Sequence, residues 1–322
     1  MLLKLVAGVL AGVLGITGAQ AQEINFGIIA TESASNLRAR WQPFLDDMQK
    51  KTGLQVRGFF ASDYAGVIEG MRFNKVQLAW HGNKSAMEAV DRASGEVFAQ
   101  SVDKNGAAGY YSHIIVHRDS PIKTLDDLLK CDKTLDYGNG DPNSTSGFLV
   151  PMTFVFGAKK IDPRSCFRTV RSANHEANAL AVANKLVHAA SNNNENLDRL
   201  KVTNASKAAE IRVLWNSPLI ASDPLVWRKD LDPALKKKIA DFIFGYGVSD
   251  AGEKLKLAEL GWAPFRKSDD SQLLPIRQME LGRAMQRVQA DESLPAEKKA
   301  ADLARMQSEF EAFTKQIAAT TK

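Results

Sequence analysis

The chain has 322 residues, with 42 lysines and arginines against 37 aspartates and glutamates, a formal charge of +5 at pH 7, and two cysteines. The two signs are interspersed and no nucleic-acid-binding motif occurs, which excludes a basic RNA- or DNA-binding surface. The length suits two lobes, each with its own hydrophobic core.

Met1 to Ala21 reads as an export signal: Lys4 supplies the positive start, Leu5 to Gly18 is apolar and uncharged, and Ala19-Gln20-Ala21 is a small-residue cleavage site. The apolar run is short for a membrane span. No cysteine follows the cleavage site to take a lipid. The expectation is a mature chain starting at Gln22, located outside the bacterial inner membrane.

From Gln22 the pattern is α/β. Ile24 to Ala30 reads as a strand, and Trp41, Phe44, Leu45 and Met48 form the buried stripe of the helix after it. Leu54 to Phe60 is a second strand, Asp63 is the N-cap of a second helix, and Val76 to Trp80 is a third strand. Such alternation predicts a parallel sheet with a ligand crevice beyond the strand carboxyl ends, where Thr31, Glu32, Tyr64, Trp80 and His81 fall.

Tyr110 to His117 is the next strand, and the first passage between lobes is placed here. The extended stretch from Ser217 to Pro224 is the second passage. The expected division is a first lobe of residues 22–116 and 223–322, including C-terminal helices, and a second lobe of 117–222, joined by a two-strand hinge. Cys131 and Cys166 either close a disulfide loop of roughly 35 residues or remain as buried thiols. Neither stands in a metal-ligand spacing, and no metal or cofactor is implied.

Within the second lobe, Thr134 to Tyr137 leads through Gly138-Asn139-Gly140 into Asp141-Pro142-Asn143-Ser144-Thr145-Ser146-Gly147, followed by an apolar run that reads as a helix ending near Gly157. Three hydroxyls at a helix entrance offer an anion the free N-H groups of the first turn and the positive end of the dipole. A plain serine N-cap on a glycine-rich turn is the alternative. Near the C-terminus, Leu303, Met306, Phe310, Phe313 and Ile317 form a narrow apolar seam. It serves either packing on the protein's own body or a homodimer contact.

Asp63-Tyr64-Ala65-Gly66, Gly70 to Asn74, Gly82 to Ala89, Asp141 to Gly147, and Ser217-Pro218-Leu219-Ile220 with Asp223-Pro224 together resemble, in order and over essentially the whole mature chain, the periplasmic phosphonate-binding proteins of ABC-type importers. The resemblance is strongest to those that capture 2-aminoethylphosphonate. It implies a type II periplasmic-binding fold, two α/β lobes closing on ligand, with no enzymatic activity and an inner-membrane ABC permease as partner. It also implies that Ser144, Thr145 and Ser146 hold the phosphonate, joined by Tyr64 and His175. Tyr110 would line the cleft, while Glu195 and Asp223 would take the ligand's ammonium.

The chemistry agrees with those roles, because a dianion needs many N-H and O-H donors. Two carboxylates facing one cleft repel unless a cation joins them, so phosphate or methylphosphonate would leave both acids unpaired. Taken singly, Glu195 reads as a solvated loop acid, Asp223 as a turn cap before Pro224, and Tyr64 and Tyr110 as core aromatics. His81, beside the cleft-wall Trp80, stands where the family has another aromatic. The segment around His175 looks one residue long, so Asn174 or Glu176 competes for its place. Two alternatives stay open: the same fold binding phosphite, phosphate or an amine-free phosphonate, and a hydrolase using Ser144 or Ser146 with His175 and Glu195. No Gly-x-Ser-x-Gly surrounds those serines.

Overall fold

The computed structural model describes residues 22–320, so the export signal read over 1–21 lies outside the described residues. The chain opens as β1 (Glu23–Ile28), α1 (Ala34–Thr52), β2 (Gln55–Phe60), α2 (Tyr64–Arg72), β3 (Leu78–Trp80), α3 (Asn83–Arg92) and β4 (Gly95–Asp103). Local chemistry sets these limits. Ser33 caps α1 by accepting the Asn36 N-H, and Gly53 ends it at φ 67°, a conformation glycine takes without steric cost. The stripe Trp41, Phe44, Leu45 and Met48 is buried against β1, with the Phe26 and Trp41 rings 5.4 Å apart.

Next come β5 (Gly109–Tyr110), β6 (Ser112–His117), α4 (Leu125–Leu128), β7 (Asp136–Asn139), α5 (Pro163–Cys166), β8 (Thr169–Ser172), α6 (His175–Ala183), β9 (Ala189–Asn193), α7 (Asn194–Thr203), α8 (Ala205–Ala208) and β10 (Ile211–Asn216). The chain then returns through β11 (Ile220–Ala221) and β12 (Pro224–Arg228), and ends with α9 (Pro233–Gly245), α10 (Ala251–Leu260), β13 (Trp262–Lys267), α11 (Leu274–Ala290) and α12 (Ala296–Thr320).

Among the described residues the strands form a six-stranded sheet, β13-β4-β12-β3-β1-β2, a five-stranded sheet, β10-β6-β9-β7-β8, and a ribbon of β5 and β11. We call the parts built on the two large sheets the first and second lobes. β1 runs parallel to β2 and β3, as the alternation predicts, but β12 and β4 add antiparallel pairs. The first sheet is therefore mixed where a parallel one was expected. β6 pairs with β9 and β10 inside the second sheet, so Ser112–His117 lies wholly beyond the first passage. The passages themselves are β5 and β11, registered Ile220 to Tyr110 and Ala221 to Gly109. A Cβ on Gly109 would fall 1.9 Å from the Ile220 carbonyl oxygen, so the ribbon requires a glycine there.

Cys131 and Cys166 are joined as a disulfide. The helices α11 and α12 pack against each other, with Phe310 of the apolar seam lying over Gly282, so the seam is used within the chain at that point. α11 also spans both lobes. Arg277 pairs with Asp91 of α3, while Arg283 lies 4.9 Å from the Phe148 ring and Gln286 donates to the Gly157 carbonyl. Among the described residues no helix is long and apolar enough to cross a membrane.

Candidate ligand site

β7 delivers the chain to Gly140, whose N-H donates to the Gly147 carbonyl at 2.9 Å. The two glycines lie so close that a Cβ on Gly140 would come within 2.4 Å of the Gly147 backbone. This contact folds the loop back on itself and presents Ser144, Thr145 and Ser146 at the start of a helical run. Ser144 is the N-cap, but the first turn closes in π register, with Leu149 N-H on the Ser144 carbonyl. The run expected as one helix consists of two π turns, Thr145–Leu149 and Met152–Phe156, ending in a 3-10 turn near Gly157.

Each of the three hydroxyls is already an acceptor. Ser144 Oγ accepts the Gly147 N-H at 3.0 Å, Thr145 Oγ1 accepts the Lys84 N-H from the first lobe at 2.8 Å, and Ser146 Oγ accepts the Asn193 amide at 3.1 Å. A hydroxyl whose lone pair is engaged by an N-H keeps its own proton to give. All three side chains are buried yet line one cavity of about 410 Å³. The cavity wall thus offers three O-H donors beside the unpaired N-H groups of a helix start.

Tyr64 and His175 join this wall. The Tyr64 N-H donates to Asp141 Oδ2 across the cleft, and its phenol lies beside Ser144. Burial, and next the charge of Asp141, push the phenol's pKa up, so it stays an O-H donor. His175 is the first residue of α6, capped by Asn174, and its Nε2 sits 3.5 Å from Ser144 Oγ and 3.3 Å from the Asn193 amide. Burial, then the charge of Arg199, lowers its pKa to about 4, so the ring is neutral. The competing residues of that segment point elsewhere: Asn174 caps the helix, and Glu176 accepts from Ser33 N-H and Asn36 of the first lobe.

Glu195, Asp223 and Tyr110 line the same cavity. Asp223 follows the ribbon strand β11, and its Oδ1 accepts the Tyr110 hydroxyl at 3.0 Å. Burial, then the charge of Glu195, raises the Asp223 pKa well above the usual carboxylate range. Burial raises Glu195 to about 7, against the opposing pull of Arg199. A buried Asp223 whose proton affinity is raised by the neighbouring charge of the partly buried Glu195 forms with it a site that calls for a cation. Trp80 also lines the cavity.

His81 does not. It is fully buried, its Nδ1 meets Ser85 Oγ at 3.1 Å, and it lies outside the cavity lining, because alternation along the strand turns it away from the side that Trp80 shows the cleft. Its expected place on the cleft wall is therefore corrected.

Sequence reading missed Asn193, which holds both Ser146 and His175, and Arg40 and Arg199, whose guanidinium groups reach the cavity from opposite lobes. Asn193 stands in a run of polar residues that reads as a surface loop. Ser191, Asn192 and Asn193 are buried in β9: the Ser191 carbonyl accepts the Asn178 amide, the Asn192 amide donates to the His175 carbonyl, both of α6, and the Asn193 N-H donates to Asn192 Oδ1.

The family of periplasmic substrate-binding proteins of ABC phosphonate transporters matches residues 26–273. A phosphonates-binding periplasmic protein of Escherichia coli (strain K12) is 55% identical over 292 residues, 91% of this chain and 86% of that protein. Among solved structures, a binding protein component of an ABC phosphonate transporter from Pseudomonas aeruginosa superposes with a TM-score of 0.91 at 51% identity, covering 94% of this chain and all of that one. PhnD1 from Prochlorococcus marinus, solved with methylphosphonate, shares the fold at a TM-score of 0.72 and 21% identity, over 82% of this chain and 98% of that one.

Proposed function

The chain belongs to the periplasmic substrate-binding proteins of ABC phosphonate importers, which bind ligand for a membrane permease and are not enzymes, and we propose that its own ligand is an aminoalkylphosphonate, 2-aminoethylphosphonate being the best fit. One observation carries this reading. Three hydroxyls with protons to give and two acids, Glu195 and Asp223, line one cavity, and the charge of Glu195 raises the proton affinity of Asp223. In this reading Ser144, Thr145, Ser146, Tyr64 and His175 hold the phosphonate, Glu195 and Asp223 take the ammonium, and Tyr110 and Trp80 shape the wall. Binding draws the two lobes together about the β5-β11 ribbon, because groups on both must touch one small molecule.

The discrimination is electrostatic. An amine-free phosphonate or phosphate satisfies the donors but leaves the two acids without a cation, an uncompensated cost. Calorimetric titration with 2-aminoethylphosphonate, methylphosphonate and phosphate tests this. The expected order has the amine-bearing ligand tightest; binding no tighter than methylphosphonate would refute the ammonium site.

A further inference from the structure

Arg199 stands on α7 one helical turn beyond Glu195, the i,i+4 arrangement that brings an acid and a following cation together on a helix surface. Yet the ion pair Arg199 makes is with Glu32 of the first lobe, across the cleft. Glu32 is buried and is also held by Arg40 of its own lobe at 2.5 Å. Glu195 still feels the charge of Arg199, with Arg40, Asp103 and Asp198 as its other charged surroundings.

We propose that Arg199 is a shuttling counter-ion that makes the protein's preference for an amine conditional on closure: it pairs with Glu195 when the lobes are apart and is drawn to Glu32 when they meet. The geometry supplies both halves of the exchange. Glu195 and Arg199 ride on one helix and stay neighbours whatever the lobes do, whereas Glu32 and Arg199 ride on different lobes and must part on opening. Arg40 keeps Glu32 paired and aimed in either state, so the receiving acid is never left bare. In the open protein the ligand acid is neutralised by its own helix. Closing shifts that cation's ion pair to Glu32, so that Arg199 acts on Glu195 only through its charge and the direct contact is left to the ligand's ammonium. Closure around an amine-free anion ends with Glu195 lacking a direct partner. Glu32 is thereby a positioning residue for specificity, although it lies outside the cavity lining.

This inference rests on the amine reading above, and the test separates the two. Affinities for 2-aminoethylphosphonate and for ethylphosphonate, which differ only in the amine, are measured for wild type, Glu32→Gln, Arg199→Gln and the double variant, with thermal melts confirming folding. Glu32→Gln leaves Arg199 on Glu195, and the preference for the amine should fall by about tenfold, the scale of one partly buried charge pair. Removing Arg199 as well should restore the preference to within about threefold of wild type, because Glu195 then has no competing cation. A preference unchanged in Glu32→Gln, or one not restored in the double variant, overturns the proposal. Should Glu32→Gln fail to fold, Arg199→Gln alone still decides: the preference must persist, and its loss refutes the exchange. A wild type with no preference refutes the amine reading itself, and this one with it.

Discussion

Tyr110, on one passage between the lobes, donates its hydroxyl to Asp223, just past the other, at 3.0 Å. Burial, then the charge of Asp223, keeps the phenol's pKa well above its ordinary value, so the proton stays on the oxygen and the bond is charge-assisted once Asp223 ionises. Tyr110→Phe removes that donor while keeping the ring. A hydrogen bond to a charged group is worth about 1.5–3 kcal/mol, so affinity for 2-aminoethylphosphonate should drop roughly 10- to 100-fold. Ethylphosphonate should be affected far less, and calorimetry on both ligands checks the difference.

Thr145→Val has the opposite signature. It deletes the acceptor for the Lys84 N-H and the hydroxyl proposed to donate to the anion, neither of which depends on an amine. All phosphonates should weaken together, by about 1.5–3 kcal/mol; a loss confined to the amine-bearing ligand would contradict the assignment of this wall to the anion.

Gly140→Ala tests the loop geometry. Its Cβ would meet the Gly147 backbone at 2.4 Å, and backbone cannot swing aside as a side chain can. The donors at Ser144 to Ser146 should spread apart, and ligand-induced protection against thermal unfolding should vanish while the second lobe stays folded by circular dichroism.

His81 and His175 give the protein an acid-side weakness. Burial lowers their pKa values to about 3 and about 4, from an ordinary value of 6.5. An unfolded chain takes up protons at these rings as pH falls through 6.5, while the folded chain resists until far lower pH. Folding stability is therefore lost as pH falls from 6.5 towards 4. Glu195, raised to about 7, contributes the opposite slope between the ordinary carboxylate range and that value, because the folded chain holds its proton longer. Comparison of variants isolates the histidine: His81→Gln should flatten the fall in melting temperature between pH 6.5 and 4. An unchanged slope would mean that His81 is not buried neutral.

Replacing Cys131 and Cys166 by serine opens a loop with a sequence separation of 35. The chain-entropy relation gives a loss of about 3–4 kcal/mol, read as a lower melting temperature with little change in ligand affinity, since the bond lies away from the cavity lining.

The anion wall was legible because an N-cap pattern and a glycine turn announce themselves in a few adjacent residues. Its π register was not, since it is set by Gly140 packing on Gly147. The edge strand Trp262–Lys267 was hidden by Pro264, which reads as a breaker but is tolerated where one side of a strand needs no ladder partner. Asn193 was hidden for a different reason. Polar composition normally means solvent, and nothing local shows that β9 buries its amides against Ser146 and His175. The acids were legible only through resemblance, because the partners that make Glu195 and Asp223 a pair come from distant parts of the chain.

The interleaving of the first sheet has a consequence for how the protein matures. β12 is seated between β3 and β4, so β4 cannot join that sheet until the chain has passed Arg228, and β13 adds its edge only with Lys267. All strands of the second sheet, and its disulfide, fall between Ser112 and Asn216. Closing contacts distant in sequence is slow, and contiguous units form first. In a chain delivered from its N-terminus, the half that carries the hydroxyls is finished early, and the half that carries Glu32 and Arg40 waits for the strand that returns through the hinge.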